Sequence, residues 1–261
     1  MAKLKHFEIL NIKHFVIFIT IVFAFSCKKQ PLTLQAIAAR QLLIDSTSTE
    51  IKAIEDFITP YRNRIDVVLD SALAYAPYTI SKTDGKNNTT AGNLMADIML
   101  SEANPIFKSR TGMDIDFVLM NHGGIRAGIS KGNVSSRTAY EIMPFENSIS
   151  VVELDGKSVL ALVDYLITSK RAHPIAGIQV ILNVDETLNK INIQGKPFDK
   201  NSRYYVATSD YLVKGGDDMV FFKNGLSFTS LDYKIRNAII DFFSKVDTLS
   251  PKIDDRYYIL D

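Results

Sequence analysis

Apolar positions along the chain change period several times, and each change predicts an element. Ile51, Ile54, Phe57 and Ile58 recur at helical spacing behind a Ser/Thr-rich stretch, which predicts a helix over 49–62. Ile65 to Ile80 is rich in Val, Leu, Ala and Tyr and reads as extended. The polar run Lys82 to Thr90, with Asp84-Gly85 and Asn87-Asn88, reads as a loop. Leu94, Ile98 and Met99 then place a helix over Ala91 to Ser101, and the apolar block after Asp114 a short buried strand ending at Met120. A loop over 121–136, a short helix near Thr138 to Met143 and a strand over Ser148 to Leu154 follow. Val159, Leu160, Leu162, Val163 and Leu166 make Lys157 to Ser169 an amphipathic helix behind an Asp155-Gly156 turn. Strands are predicted at 177–183, 190–194 and 203–208, a last helix over Leu231 to Val246 and a closing strand over Tyr257 to Leu260. Strands outnumber helices and some neighbours are hairpin-linked. The fold class that fits is α/β (α+β), a single domain with a mixed sheet covered by helices.

The N-terminus has a different character. Lys3, Lys5 and Lys13 precede an apolar run from Phe15 to Phe25 broken only by Thr20, and Ser26-Cys27-Lys28-Lys29 follows. A basic segment, a short apolar core and a small residue before a cut point read as an export signal, with an uncleaved anchor helix as the alternative. The chain's single cysteine, Cys27, stands where a bacterial lipoprotein signal places the residue that is lipidated, in the context Ala24-Phe25-Ser26-Cys27. The expected organisation is a lipoprotein signal over 1–26, a tether over 27–48 and one domain over 49–261. The expected location is exported, with a lipid anchor facing the periplasm or cell surface.

Charge narrows the partners. The whole chain carries 30 basic and 29 acidic residues, and the part after residue 26 carries 27 and 28. That balance argues against a nucleic-acid polymer as partner. One cysteine excludes an internal disulfide framework and a thiolate zinc site.

Three segments carry chemistry that a core does not need. Asn121-His122-Gly123-Gly124-Ile125-Arg126 begins where a buried strand ends, so its backbone can approach a ligand and Arg126 can reach an anion or a planar group. The plain alternative is a tight turn with a surface arginine. Met143-Pro144-Phe145-Glu146-Asn147 sets a phenylalanine among polar neighbours, either as a platform for a base or folded back into the core. Ser209 to Asp218 runs from a strand through Tyr211 to Gly215-Gly216-Asp217-Asp218, either a carboxylate for vicinal hydroxyls or a hairpin turn.

Together with Ala91-Gly92-Asn93-Leu94-Met95-Ala96-Asp97, these segments in this order resemble the C-terminal domain of the 5'-nucleotidase family over about residues 50 to 260. Ala91 stands where the family usually has Leu. The resemblance implies that Phe145 and Tyr211 clamp a nucleobase and that Asn93 and Asn147 hydrogen-bond base or ribose edges. It further implies that Asp217 holds ribose hydroxyls and that Arg126 reaches towards phosphate. Asn121, Gly123, Gly124, Gly215 and Gly216 complete the binding set. Full-length members of that family carry a two-metal phosphatase domain. After residue 26 this chain has only His122 and His173, and it contains no Asp-x-His or Gly-Asn-His. His122 reads as a residue of the nucleoside loop or a satisfied turn histidine, and His173 as solvated. No catalytic residue, metal or cofactor is therefore expected in this chain. The divalent metals would belong to a separately encoded metallophosphatase partner, with a standalone nucleoside-binding lipoprotein as the alternative.

Overall fold

The computed structural model describes residues 12–21, 34, 36, 38–45 and 48–260. The chain divides into two units, Met1–Lys52 and Ala53–Asp261. In the first, residues 12–21 are helical and their apolar side chains are exposed. No helix among the described residues is long and apolar enough to cross a membrane. Cys27 and most of the expected signal and tether lie outside the described residues.

The second unit begins one residue into α1 (Lys52–Asp70), which runs eight residues further than the apolar spacing predicts and buries none of its residues. Pro60 lies inside it, and Asp66 and Asp70 near its end are held by Arg137 at 2.6 and 2.5 Å. The predicted extended stretch 65–80 shrinks to β1 (Ala72–Ala76) because α1 occupies its first part. The next helix, α2 (Thr90–Thr111), also outruns its prediction. It continues through Pro105 to Gly112, whose left-handed backbone and bond to the Lys108 carbonyl end it. The remaining elements are β2 (Phe117–Leu119), β3 (Gly132–Ser135), α3 (Ser136–Ile142), β4 (Ser148–Asp155), α4 (Gly156–Ser169), β5 (Ile175–Ala176), β6 (Ile178–Leu182), β7 (Leu188–Ile193), β8 (Lys196–Pro197), β9 (Arg203–Ser209), α5 (Asp210–Val213), β10 (Ser227–Lys234), α6 (Ile235–Phe243) and β11 (Tyr257–Ile259). Asp155, read as a turn, is the N-cap of α4 and accepts from the Ser158 amide. The predicted last helix is split, with its first turn taken by β10 pairing with β4.

The central sheet has the order β10-β4-β9-β2-β5. Its strands alternate between two cores, as a sheet covered on both faces must. Val118, Ile149, Val151 and Ala207 join the core under α2 and α6. Phe117, Leu119, Val152, Leu154 and Val206 face the opposite way, into the core under α4. A second sheet, β11-β6-β7-β8, adds to that core, and β1 pairs with β3 beside the first.

One feature of the register positions the site. β2 and β9 are parallel (Phe117↔Val206), whereas β4 is antiparallel to β9 (Ile149↔Ser209). The exits of β2 and β9 and the start of β4 therefore share one end of the sheet. Lys234, at the end of β10, pairs with Ser148 and arrives at the same end.

Candidate nucleoside-binding site

The three loops singled out in the sequence leave or reach that end of the sheet. Past β2, Asn121 begins a single 3-10 turn, His122–Gly124. Gly124 is packed so close that a Cβ there would lie 2.8 Å from the Asn121 Oδ1 atom. Past β9, the Ser209 hydroxyl caps the one-turn helix α5, which carries Tyr211. The chain then turns through Gly215, with φ +83°, into a second 3-10 turn, Gly216–Asp218. Gly216 lies against the Tyr211 ring, where a Cβ would come within 2.4 Å of it. Before β4, Pro144 to Asn147 form the third loop.

These loops enclose a cleft of about 350 Å³ lined by Asn121, Gly123, Gly124, Arg126, Phe145, Asn147, Tyr211 and Asp217. Phe145 and Tyr211 are 41% and 44% exposed, so Phe145 is not folded into the core. Large rings left this accessible on a cleft wall are available to stack on a planar ligand. Gly216 packs on the Tyr211 ring and Gly215 against the Lys223 side chain, and neither is in the lining.

Asp217 is the hub of the polar contacts. Its carboxylate accepts from Asn121 Nδ2 at 2.7 Å and from the Tyr211 hydroxyl at 3.0 Å, and its carbonyl accepts from the Tyr165 hydroxyl at 2.8 Å. The residue adopts a left-handed backbone (φ 51°, ψ 33°), tolerated more readily by Asp than by most side chains. A carboxylate has about four acceptor directions, and these contacts use two. The Asp217 carboxylate also pushes the Tyr211 phenol up from its ordinary pKa, keeping it a neutral donor. Arg126 reaches across the same wall. Its guanidinium lies 5.8 Å from the Phe145 ring centroid, and it donates to the Gly123 carbonyl at 3.3 Å.

The Phe145 loop is braced from below by Arg236, which the sequence reading did not single out. This buried side chain donates to the Pro144 and Phe145 carbonyls at 3.3 Å each, pairs with Glu146 and lies over the Tyr140 ring at 4.2 Å. The hydrogen bonds from Lys234 and Arg236 hold the Glu146 carboxyl down at about 2. The Ile235 amide adds a 3.0 Å bond to the Asn147 carbonyl. One sequence signal was available: an arginine in the first turn of α6 opposes the helix dipole and so needs a nearby anion.

Asn93 does not join the cleft. It is 2% exposed in the first turn of α2, and its amide donates to Asn88 Oδ1 and to the Lys252 carbonyl, both at 2.8 Å. Its place in the motif is explained by tying α2 to the segment before β11. His173 is also corrected. It is 3% exposed, not solvated, and its ring lies 5.3 Å from that of Tyr165. Its Nδ1 accepts from the His122 amide at 3.2 Å, so the proton of the neutral ring sits on Nε2. Burial, with a smaller contribution from His122, pushes its pKa down to about 4. Among the described residues no group of three or more His, Cys, Asp or Glu is placed to hold a metal ion. His122 Nδ1 lies 3.2 Å from the Ala172 carbonyl.

Comparison with known proteins gives the family. The chain is 26% identical over 236 residues to the trifunctional nucleotide phosphoesterase protein YfkN of Bacillus subtilis, covering 82% of this chain and 16% of that protein. It is 31% identical over 147 residues to protein UshA of Escherichia coli, covering 53% and 26% of the two. The chain thus spans about a quarter or less of these relatives' length. Among solved structures, the 5'-nucleotidase precursor of Thermus thermophilus superposes with a TM-score of 0.66 at 19% identity, over 80% of this chain and 43% of that one, which speaks to the fold. The profile of the 5'-nucleotidase C-terminal domain matches residues 70–224, more than half of the chain, and the chain belongs to that family.

Proposed function

We propose that residues 49–261 recognise a nucleoside or nucleotide, and that a metallophosphatase on a separate polypeptide supplies the divalent metals that cleave its phosphate ester. The observation that carries this reading is the single cleft in which two exposed rings face solvent beside a carboxylate with free acceptor capacity. Phe145 and Tyr211 would take the faces of the base. Each stacking contact is worth roughly 1–3 kcal/mol and tolerates any base. Asp217 would accept from the ribose diol, oriented by Asn121 and Tyr211, while Asn147 and Arg126 would complete the polar edge. Every role here is one of binding and orientation. Relatives named as nucleotide phosphoesterase and NAD 5'-nucleotidase support a nucleotide as the ligand. A Listeria monocytogenes relative named a cell wall protein, 23% identical over 189 residues, supports export; the proposed lipid attachment point, Cys27, rests on the sequence context alone.

The test is phosphate release from AMP by the full chain, with and without the candidate metallophosphatase, in divalent metal. The combination should release phosphate several-fold faster than the phosphatase alone, and no gain would refute the division of labour. A standalone nucleotide-binding lipoprotein is the second reading, favoured because the two rings, the carboxylate and the arginine of the cleft all belong to this chain. Unassisted binding with no gain in hydrolysis would favour it.

A further inference from the structure

The helix α1 keeps its apolar stripe in solvent. Ile54, Ile58, Tyr61, Ile65 and Val68 recur along it at alternating steps of four and three. Such a stripe ordinarily faces the body of a domain. Here Ile54, Tyr61, Ile65 and Val68 are each more than half exposed, and Ile58 is only partly covered. The ion pairs that tie the helix to α3 lie on its polar edge instead, where Arg137 holds Asp66 and Asp70. Contiguous exposed apolar surface of this kind marks an interaction face.

Spacing and charge identify the occupant. Two seam positions in every seven, in a four-three rhythm, are the pattern of a coiled coil. A lipid surface fits poorly. α1 carries three basic and four acidic residues, whereas a helix lying on anionic lipid is rich in lysine and arginine. A second copy of α1 running antiparallel fits well. Centred between Ile58 and Tyr61, it sets Ile54 against Ile65 of the partner subunit and Ile58 against Tyr61 of the partner subunit. The same register brings Glu55, on one edge of the seam, against Arg62 of the partner subunit, and two-fold symmetry makes that ion pair twice. Phe57, on the other edge, comes against Arg64 of the partner subunit, ring to guanidinium. Within one chain Glu55 and Arg62 already pair at 2.5 Å, so association leaves neither charge without an opposite one. A parallel pair would instead face Glu55 with residue 50, another glutamate.

We propose that α1 is a dimerisation helix, through which two copies of this chain associate as an antiparallel pair about a two-fold axis. The proposal does not depend on what the cleft binds.

The experiment is oxidative crosslinking of the full chain in detergent solution, in a Cys27→Ser background because Cys27 is its only cysteine. A mixture of Ile54→Cys chains with Ile65→Cys chains should crosslink several-fold more than either variant alone. An antiparallel pair brings 54 and 65 together and holds each away from its own equivalent. Glu55→Lys in both members of the mixture should lower that yield several-fold, because it sets a lysine against Arg62 of the partner subunit. Confining Glu55→Lys to the Ile54→Cys chain and adding Arg62→Glu to the Ile65→Cys chain should restore the yield, although neither helix then keeps its own ion pair. The positions are exposed, and circular dichroism reads whether each variant stays folded. Crosslinking of Ile54→Cys with itself would mean a parallel pair, and equal yields in every combination a shared micelle. No crosslink would leave the face to the metallophosphatase or to lipid. Each of these results overturns the antiparallel dimer, and a yield untouched by the charge reversals overturns its register.

Discussion

At the scale of single residues, motif membership and site membership separate. Asn93 and Asp217 belong to equally recognisable motifs, yet one is 2% exposed inside the fold and the other lines the cleft. Asn93 donates twice to groups that would be left short of a partner without it. Replacing it by alanine should therefore destabilise the fold by about 1–3 kcal/mol in chemical denaturation while leaving nucleoside affinity unchanged. A weakened affinity at unchanged stability would return it to the site. His173 gives a pH signature. Its folded pKa, about 4, lies below the ordinary histidine value, so between roughly 4 and 6.5 the unfolded chain binds a proton that the folded chain excludes. Stability should fall by up to about 3 kcal/mol as pH drops through that window, and then cease to depend on this group below it. His173→Gln should flatten that slope in denaturation curves collected from pH 7 to pH 4; an equal slope in the variant would contradict a buried neutral imidazole.

At the scale of elements, the site is the meeting of three strand ends, and the parallel pairing of β2 with β9 makes them meet. Period and turn chemistry located β2, β4, α4 and β9 closely, because each alternates or repeats between cores in a way a sequence displays. Pro60 falls inside the predicted span of α1, whereas Pro105 lies beyond the predicted end of α2 at Ser101. α2 runs on through Pro105 because Ala103 and Phe107 on either side of it are buried, and that packing outweighs the lost backbone bond. The strand β10 was hidden in an apolar stretch that suits a helix equally well, and only its pairing with β4 decides the matter. The brace under the Phe145 loop was hidden for the same reason, since Arg236 and Glu146 lie 90 residues apart. Arg236→Met should cost about 1–3 kcal/mol of stability and weaken nucleoside binding as the loop loosens. Denaturation alongside a binding titration reads both, and a variant as tight-binding as the wild type would show that the loop holds its place without the brace.

At the scale of the whole molecule, the ordered motifs made the family legible before any coordinates, and the profile match over residues 70–224 establishes it. Sequence could not supply the convergence of the loops or the bond that Asn121 gives Asp217, because each depends on contacts between segments far apart in the chain. The fold offers a two-core body with the candidate binding residues gathered at one end of its central sheet, and the central claim is that this cleft accepts a nucleoside. Adenosine titration of the full chain, followed by tyrosine fluorescence in a protein that has no tryptophan, tests this directly. Saturable binding that perturbs the emission is expected, with a loss of about 1–3 kcal/mol of affinity in Tyr211→Ala and no loss of thermal stability. Binding of equal strength in wild type and variant, or no binding at all, would contradict it.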